Sequence, residues 1–236
     1  MVACGNPAHG LPIAPLRVIY GMNKRAWLGL SLAGLLVLGA GCRSAIYSAY
    51  EKVGVYKRDL LKKRVIAARD EEKAAGEQFK DALTKLRELY GNQNTPLEKT
   101  YDQLKGEYDD ANTRAEAVRK RVRDVETVAA DLFREWEAEL KEYSTESMRA
   151  SSREQLRQTR QRYEEMHASL KRAEESMAPV LAKFRDHVLW LKHNLNAQAM
   201  ASLKGESLSI QNDIVRLIED MNRSIQKADE FIKQMP

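Results

Sequence analysis

Glu164 and His167 come nearest, by residue type and spacing, to a metal site in this sequence. Three residues apart on a helix, they share one face, and four-helix bundles that hold two iron ions repeat Glu-x-x-His on a second helix. The residues three positions before His187 and His193 are aromatic, so neither histidine supplies a second copy. We therefore predict a surface pair, with no metal and no other cofactor.

Ser224 and Lys227 have the spacing of a serine nucleophile and its lysine base, but no companion motif accompanies them. The chain also has no Gly-rich phosphate loop, no His-Glu-x-x-His and no Gly-x-Ser-x-Gly. Trp136 and Trp190 lie on or beside apolar seams, which favours packing over a ligand platform. The sequence therefore predicts a protein that is not an enzyme.

The segment before Cys42 has the layout of a secretory signal peptide. Lys24 and Arg25 precede the uncharged stretch 26–38, which ends in the small residues 39–41. That stretch is shorter than the roughly 20 residues that a membrane-spanning helix needs. We predict a signal peptide over residues 22–41, starting at Met22, and an unstructured upstream extension over residues 1–21.

Leu38-Gly39-Ala40-Gly41-Cys42 resembles the lipobox of bacterial lipoproteins, with Gly39 where that family most often has Leu. The resemblance implies a diacylglycerol thioether on Cys42, cleavage before it and acylation of the new amino terminus. Acyl chains would then hold the protein in a membrane. Arg43 stands where lipoproteins retained in the inner membrane have Asp, so the resemblance implies the outer membrane, facing the periplasm.

The net charge of +5 is concentrated near the amino terminus, because residues 1–41 contain three basic residues and no acidic ones. Residues 42–236 are nearly neutral, which removes the support for nucleic-acid binding. A basic block remains over residues 43–69, followed by an acidic excess over 70–149. We predict that it contacts an anionic membrane or pairs with the acidic segment, and both remain open. Its predicted surface residues are Arg43, Lys52, Lys57, Arg58, Lys62, Lys63 and Arg64.

Apolar residues recur at alternating spacings of four and three over 97–136, which predicts a long heptad helix. Similar seams predict a helical coiled-coil domain over 42–236, with helices at about 44–90, 96–145, 151–203 and 206–234. Glu72 and several alanines in the first seam predict a weaker mid-section. Ser151 and Glu154 form a capping box that predicts the start of the third helix, and Pro179 predicts a kink within it. The predicted fold class is all-α: an elongated antiparallel helical bundle of three long helices and one shorter helix.

The lipobox and the long charged helices together resemble uncharacterised coiled-coil lipoproteins of Gram-negative bacteria. We therefore expect a lipid-anchored, non-enzymatic scaffold, spacer or adaptor in the cell envelope. The heptad seams, that of 97–136 above all, would contact a second copy or another envelope protein. The alternative is a module that binds a lipid or peptidoglycan fragment between helices, in a cavity lined by Ala68, Ala75, Ala111 and Ala115.

Overall fold

The computed structural model describes residues 56–91, 96–194 and 196–235, without the side chains of 197–201. These residues form four α-helices: α1, Lys57–Gly91; α2, Leu97–Glu139; α3, Glu146–His193; and α4, Ala197–Gln234. The prediction of an all-α helical bundle with three long helices and a shorter one is confirmed. No helix within the described ranges combines the length and the apolar character needed to cross a membrane.

Consecutive helices run antiparallel, as pairs of side-chain contacts between them show. Lys57 at the start of α1 forms an ion pair with Glu135 near the end of α2, whereas Gln78 contacts Glu107 earlier in α2. The same reversal relates the other neighbouring helices, through contacts such as Arg119–Glu174, Ser176–Asp220, Lys183–Asp213, Arg69–Asp229 and Arg87–Gln211. Each helix packs on two neighbours, α1 and α3 both on α2 and α4. The result is an up-and-down bundle around one core.

The core is made by the apolar seams that the spacing predicts. On α2 the buried seam residues are Leu104, Ala111, Ala115, Val118, Val122, Val125, Ala129 and Leu132. Because α1 and α3 cover this seam within the chain, most of its apolar surface is already removed from water. The seam therefore builds the fold, and little of it remains to receive a partner helix.

The turn between α3 and α4 comes about ten residues earlier than the sequence predicts. Helix α3 ends at His193, and Gly205 lies inside α4. Asn194 explains the stop: its backbone N–H donates to Leu191 O, and its side-chain Nδ2 donates to Trp190 O at 3.0 Å. Both bonds satisfy carbonyl groups of the last turn, which otherwise lack partners. The apolar spacing continues through this turn, so periodicity alone does not reveal it.

Helix α3 begins earlier than its predicted capping box and passes Pro179 without ending. Thr145 precedes the first helical residue, and Ser151 lies exposed within the helix. The box was thus not the start of the helix. Pro179 is also exposed, so its ring faces solvent and does not disturb the core seam on the opposite face.

Candidate functional site

The residues predicted to anchor the protein or contact a surface fall into two groups. Cys42, Arg43 and Lys52 lie outside the described residues. The remaining residues occupy the first turns of α1: Lys57, Arg58, Lys62, Lys63 and Arg64. The structure therefore brings this part of the basic block together on one end of one helix.

Three of these five basic residues form hydrogen bonds or ion pairs with other parts of the described chain, and two do not. The three contact α2 or α4: Lys57 pairs with Glu135, Arg64 Nη1 lies 3.8 Å from Asp124 Oδ2, and Lys62 Nζ donates to Met235 O at 3.4 Å. Arg58 and Lys63 are exposed and have no hydrogen-bond or ion-pair partner within the described part of the chain. Ion pairing with the acidic helix thus accounts for some of these charges, and two remain available for another anionic group.

Glu164 and His167 do not act together in the structure. Glu164 is exposed, whereas His167 Nε2 lies 2.8 Å from Glu126 Oε1 on α2 and its ring stacks on Tyr163. Among the described residues, no three His, Cys, Asp or Glu side chains are grouped so that they could hold a metal ion. His167 therefore links two helices.

Ser224 and Lys227 likewise lie in different environments, so they do not form a pair. Lys227 Nζ pairs with Glu230 Oε2 at 3.0 Å on the surface, whereas Ser224 is fully buried. Its hydroxyl faces Glu72 on α1. Apolar spacing does not reveal this position, because the neighbouring Ile225 is the apolar residue of this turn and yet is only half-buried.

Glu72 is a carboxyl group enclosed in the bundle core. It is 0% exposed, and neither of its oxygens has a hydrogen-bond partner among the described residues. Burial raises its pKa to about 8, and the neighbouring Ser224 hydroxyl offsets that rise only in part. The carboxyl is therefore mostly protonated at neutral pH, because the neutral form is cheaper to bury.

Small residues surround this carboxyl. Ala68, Ala75 and Gly76 are buried on the same face of α1, and a Cβ on Gly76 would lie 3.7 Å from Met221 Sδ on α4. The alanines predicted to line a ligand cavity, Ala68, Ala75, Ala111 and Ala115, are all 0% exposed core residues. The cavities described below have other linings, so these alanines serve helix packing here.

Tyr90 and His187 form a second buried polar contact, at the end of α1. Tyr90 Oη lies 2.7 Å from His187 Nδ1 on α3, and both residues are about 5% exposed. Burial lowers the pKa of His187 and raises that of Tyr90. The phenol therefore donates to a neutral imidazole. A cavity of about 180 Å³ adjoins His187 and is lined by Lys183, Asp186, Glu206, Ser209 and Ile210.

The two predicted packing tryptophans have different environments. Trp136 is half-buried, and its Nε1 donates to Ser152 Oγ at 2.9 Å across the α2–α3 interface. Trp190 is 47% exposed, so it is not the packing residue that the sequence predicts. Leu189 beside it is also exposed, so both side chains lie on the outer side of α3.

A larger cavity of about 460 Å³ lies at the opposite end of the bundle, where all four helices contribute side chains. Its apolar lining residues are Leu132, Trp136, Phe231 and Met235, and its polar ones are Arg58, Gln155, Gln158, Thr159, Arg162 and Gln234. Among the described lining residues, two are arginines and none is a carboxylate. The site thus combines an apolar floor with hydrogen-bond donors and positive charge, a combination suited to an amphiphilic anion.

Residues 46–235 match the family described as protein of unknown function DUF2959. The chain belongs to that family, and the matched residues include all four helices of the bundle. No curated protein matches the chain.

Proposed function

We propose that this protein is a bacterial lipoprotein, anchored by acyl chains on Cys42 in the outer membrane and facing the periplasm. Its helical bundle would act as a non-enzymatic scaffold, spacer or adaptor in the cell envelope. The observation that carries the proposal is the lipobox-like sequence Leu38–Cys42, immediately before the domain that begins at residue 46. Two or more acyl chains anchor a protein stably where one does not.

Metabolic labelling with palmitate tests the anchor. The intact chain should incorporate label and fractionate with membranes, and Cys42→Ala should lose both properties. Cys4→Ala is the matched control, since Cys4 lies in the predicted upstream extension. Label that persists in Cys42→Ala would contradict the lipoprotein proposal.

The proposed scaffold role includes contact with a second copy or an envelope protein. The heptad spacing of residues 97–136 favours such a contact. Its buried seam favours it less, because the neighbouring helices already cover most of it. Sedimentation equilibrium of the Cys42→Ala chain should show concentration-dependent mass for self-association. A constant monomer mass would leave only contact with a different protein.

A second candidate function is the binding of a lipid or peptidoglycan fragment between helices. It is supported by the 460 Å³ cavity, which lies within the size range of small-ligand sites, about 300–1,000 Å³. Native mass spectrometry of the protein isolated from envelopes should then show a bound small molecule. A spectrum of the bare chain alone would count against this function.

A further inference from the structure

Arg58 and Arg162, the arginines of the 460 Å³ cavity, do not pair with a carboxylate of the described residues, unlike the arginines that link neighbouring helices. Arg69, Arg114, Arg119 and Arg160 each lie within 4.0 Å of a carboxylate on another helix. Arg58 has no hydrogen-bond or ion-pair partner within the described residues. Among the described residues, Arg162 donates only from Nη2 to Thr159 Oγ1 on its own helix, at 3.3 Å. Both cavity arginines thus keep donors for an external anion.

The floor of this cavity is apolar and already ordered. Leu132, Phe231 and Met235 are at most 8% exposed, and the ring of Tyr163 packs edge-on against Phe231 with centroids 6.3 Å apart. Each methylene group that moves from water onto such a surface makes binding more favourable. A hydrocarbon chain would therefore gain more from this site than a small polar anion would.

The smaller cavity beside His187 is a useful contrast. Its lining includes both Asp186 and Glu206, and Lys183 forms an ion pair with Asp213. Positive charge there is neutralised within the chain. The two cavities therefore differ in sign as well as in size, and only the larger one favours an anion.

We propose that the larger cavity binds a fatty acid, with Arg58 and Arg162 binding its carboxylate and Leu132, Phe231 and Met235 contacting its chain. Guanidinium groups form paired, charge-assisted hydrogen bonds with carboxylates. A single acyl chain fits a cavity in the lower half of the small-ligand size range. This inference rests on the second candidate function and is independent of the anchor on Cys42.

Trp136 lines the cavity and can report binding. Of the three tryptophans in the full chain, Trp27 and Trp190 are replaced by Phe, so that fluorescence comes from Trp136 alone. Titration with dodecanoate below its micelle concentration should give a saturable change. Methyl dodecanoate, which lacks the charge, and acetate, which lacks the chain, should each bind at least tenfold more weakly.

Arg58→Gln with Arg162→Gln should weaken dodecanoate binding at least tenfold. The matched control is Arg123→Gln with Arg172→Gln, since both of these arginines are exposed, lack a carboxylate partner among the described residues and lie outside the cavity lining. Circular dichroism checks that all variants fold. The proposal is overturned by an absent Trp136 response, by equal binding in the cavity variant, or by equal binding of the ester or of acetate.

Failure of this inference and failure of the second candidate function are distinguishable. A different small molecule that remains bound in native mass spectrometry, together with no dodecanoate binding, would overturn the fatty-acid assignment alone. A bare chain that also fails to bind dodecanoate would overturn both.

Discussion

Glu72 and His187 are both titratable groups buried in the same bundle, but of the two only His187 has a hydrogen-bond partner within the described part of the chain. Tyr90 donates to His187 at 2.7 Å, whereas the oxygens of Glu72 have no partner among the described residues. Burial favours the neutral form of each group, so the pKa of Glu72 rises and that of His187 falls. The difference is that the His187 contact joins two helices, while Glu72 weakens the middle of the core.

Their opposite shifts give opposite pH dependences. The pKa of Glu72 is about 8 in the folded chain, against 4.5 for an ordinary glutamate. Its contribution to stability is therefore fully present below pH 4.5 and is lost as the pH rises through about 8. His187 has a folded pKa below its ordinary 6.5, so its contribution is present above pH 6.5 and is lost as the pH falls.

The largest expected effect comes from Glu72→Gln. The wild-type chain should lose several kcal/mol of unfolding free energy between pH 5 and pH 9, because each unit of pKa shift corresponds to about 1.4 kcal/mol. Glu72→Gln should remove most of that loss and be the more stable protein at pH 9. Urea unfolding at both pH values measures the effect.

Glu77→Gln is the matched control for this experiment, since Glu77 lies on the same helix but is exposed and paired with Lys80. It should leave the pH dependence unchanged. If the wild-type chain had the same unfolding free energy at pH 9 as at pH 5, ionisation of Glu72 would not destabilise the folded chain, and the prediction would be wrong.

Tyr90→Phe should have an intermediate effect. It removes the hydroxyl but keeps the ring, leaving His187 Nδ1 buried without its donor, at a cost of about 1–3 kcal/mol. Thermal unfolding at pH 8, where the imidazole is neutral in both states, should show a lower Tm than that of the wild-type chain.

Tyr108→Phe is the control for Tyr90→Phe, because Tyr108 contacts Phe184 through its ring and is only half-buried. Equal Tm changes in the two variants would refute the special role of the Tyr90–His187 contact.

Gly76→Ala should give the smallest effect, a gain of about 1 kcal/mol. Alanine favours a helix interior over glycine, and the added Cβ would meet Met221 Sδ at an ordinary contact distance of 3.7 Å. Gly106→Ala is the comparison, since a Cβ there has no neighbour within 4 Å. Urea unfolding should show the larger gain at Gly76, because only that Cβ also packs in the core beside Glu72. A larger gain at Gly106 would indicate that the approach of α1 to α4 is too close.

Much of the fold could be predicted from spacing alone. The heptad of α2 predicts its buried positions, including Val118, Val122 and Val125, because burial on a helix follows the apolar face. The position of the α3–α4 turn could not be predicted from spacing. The apolar residues keep the same period through the turn, and Asn194 ends α3 through local hydrogen bonds. Most of the large cavity's lining could not be predicted, because Arg58, Arg162 and Phe231 come from helices far apart in sequence.

The sequence by itself determined that there are four helices with amphipathic faces, that Glu72 lies in an apolar seam, and that residues 1–41 are basic while residues 42–236 are nearly neutral. These features depend on local periodicity and composition, which neighbouring residues alone define. Only the tertiary structure decided that Ser224 lies beside Glu72, that Tyr90 contacts His187, and that one cavity holds two arginines with no carboxylate partner among the described residues. Such pairings depend on which helices pack together and in which register, and that is set by the whole core at once.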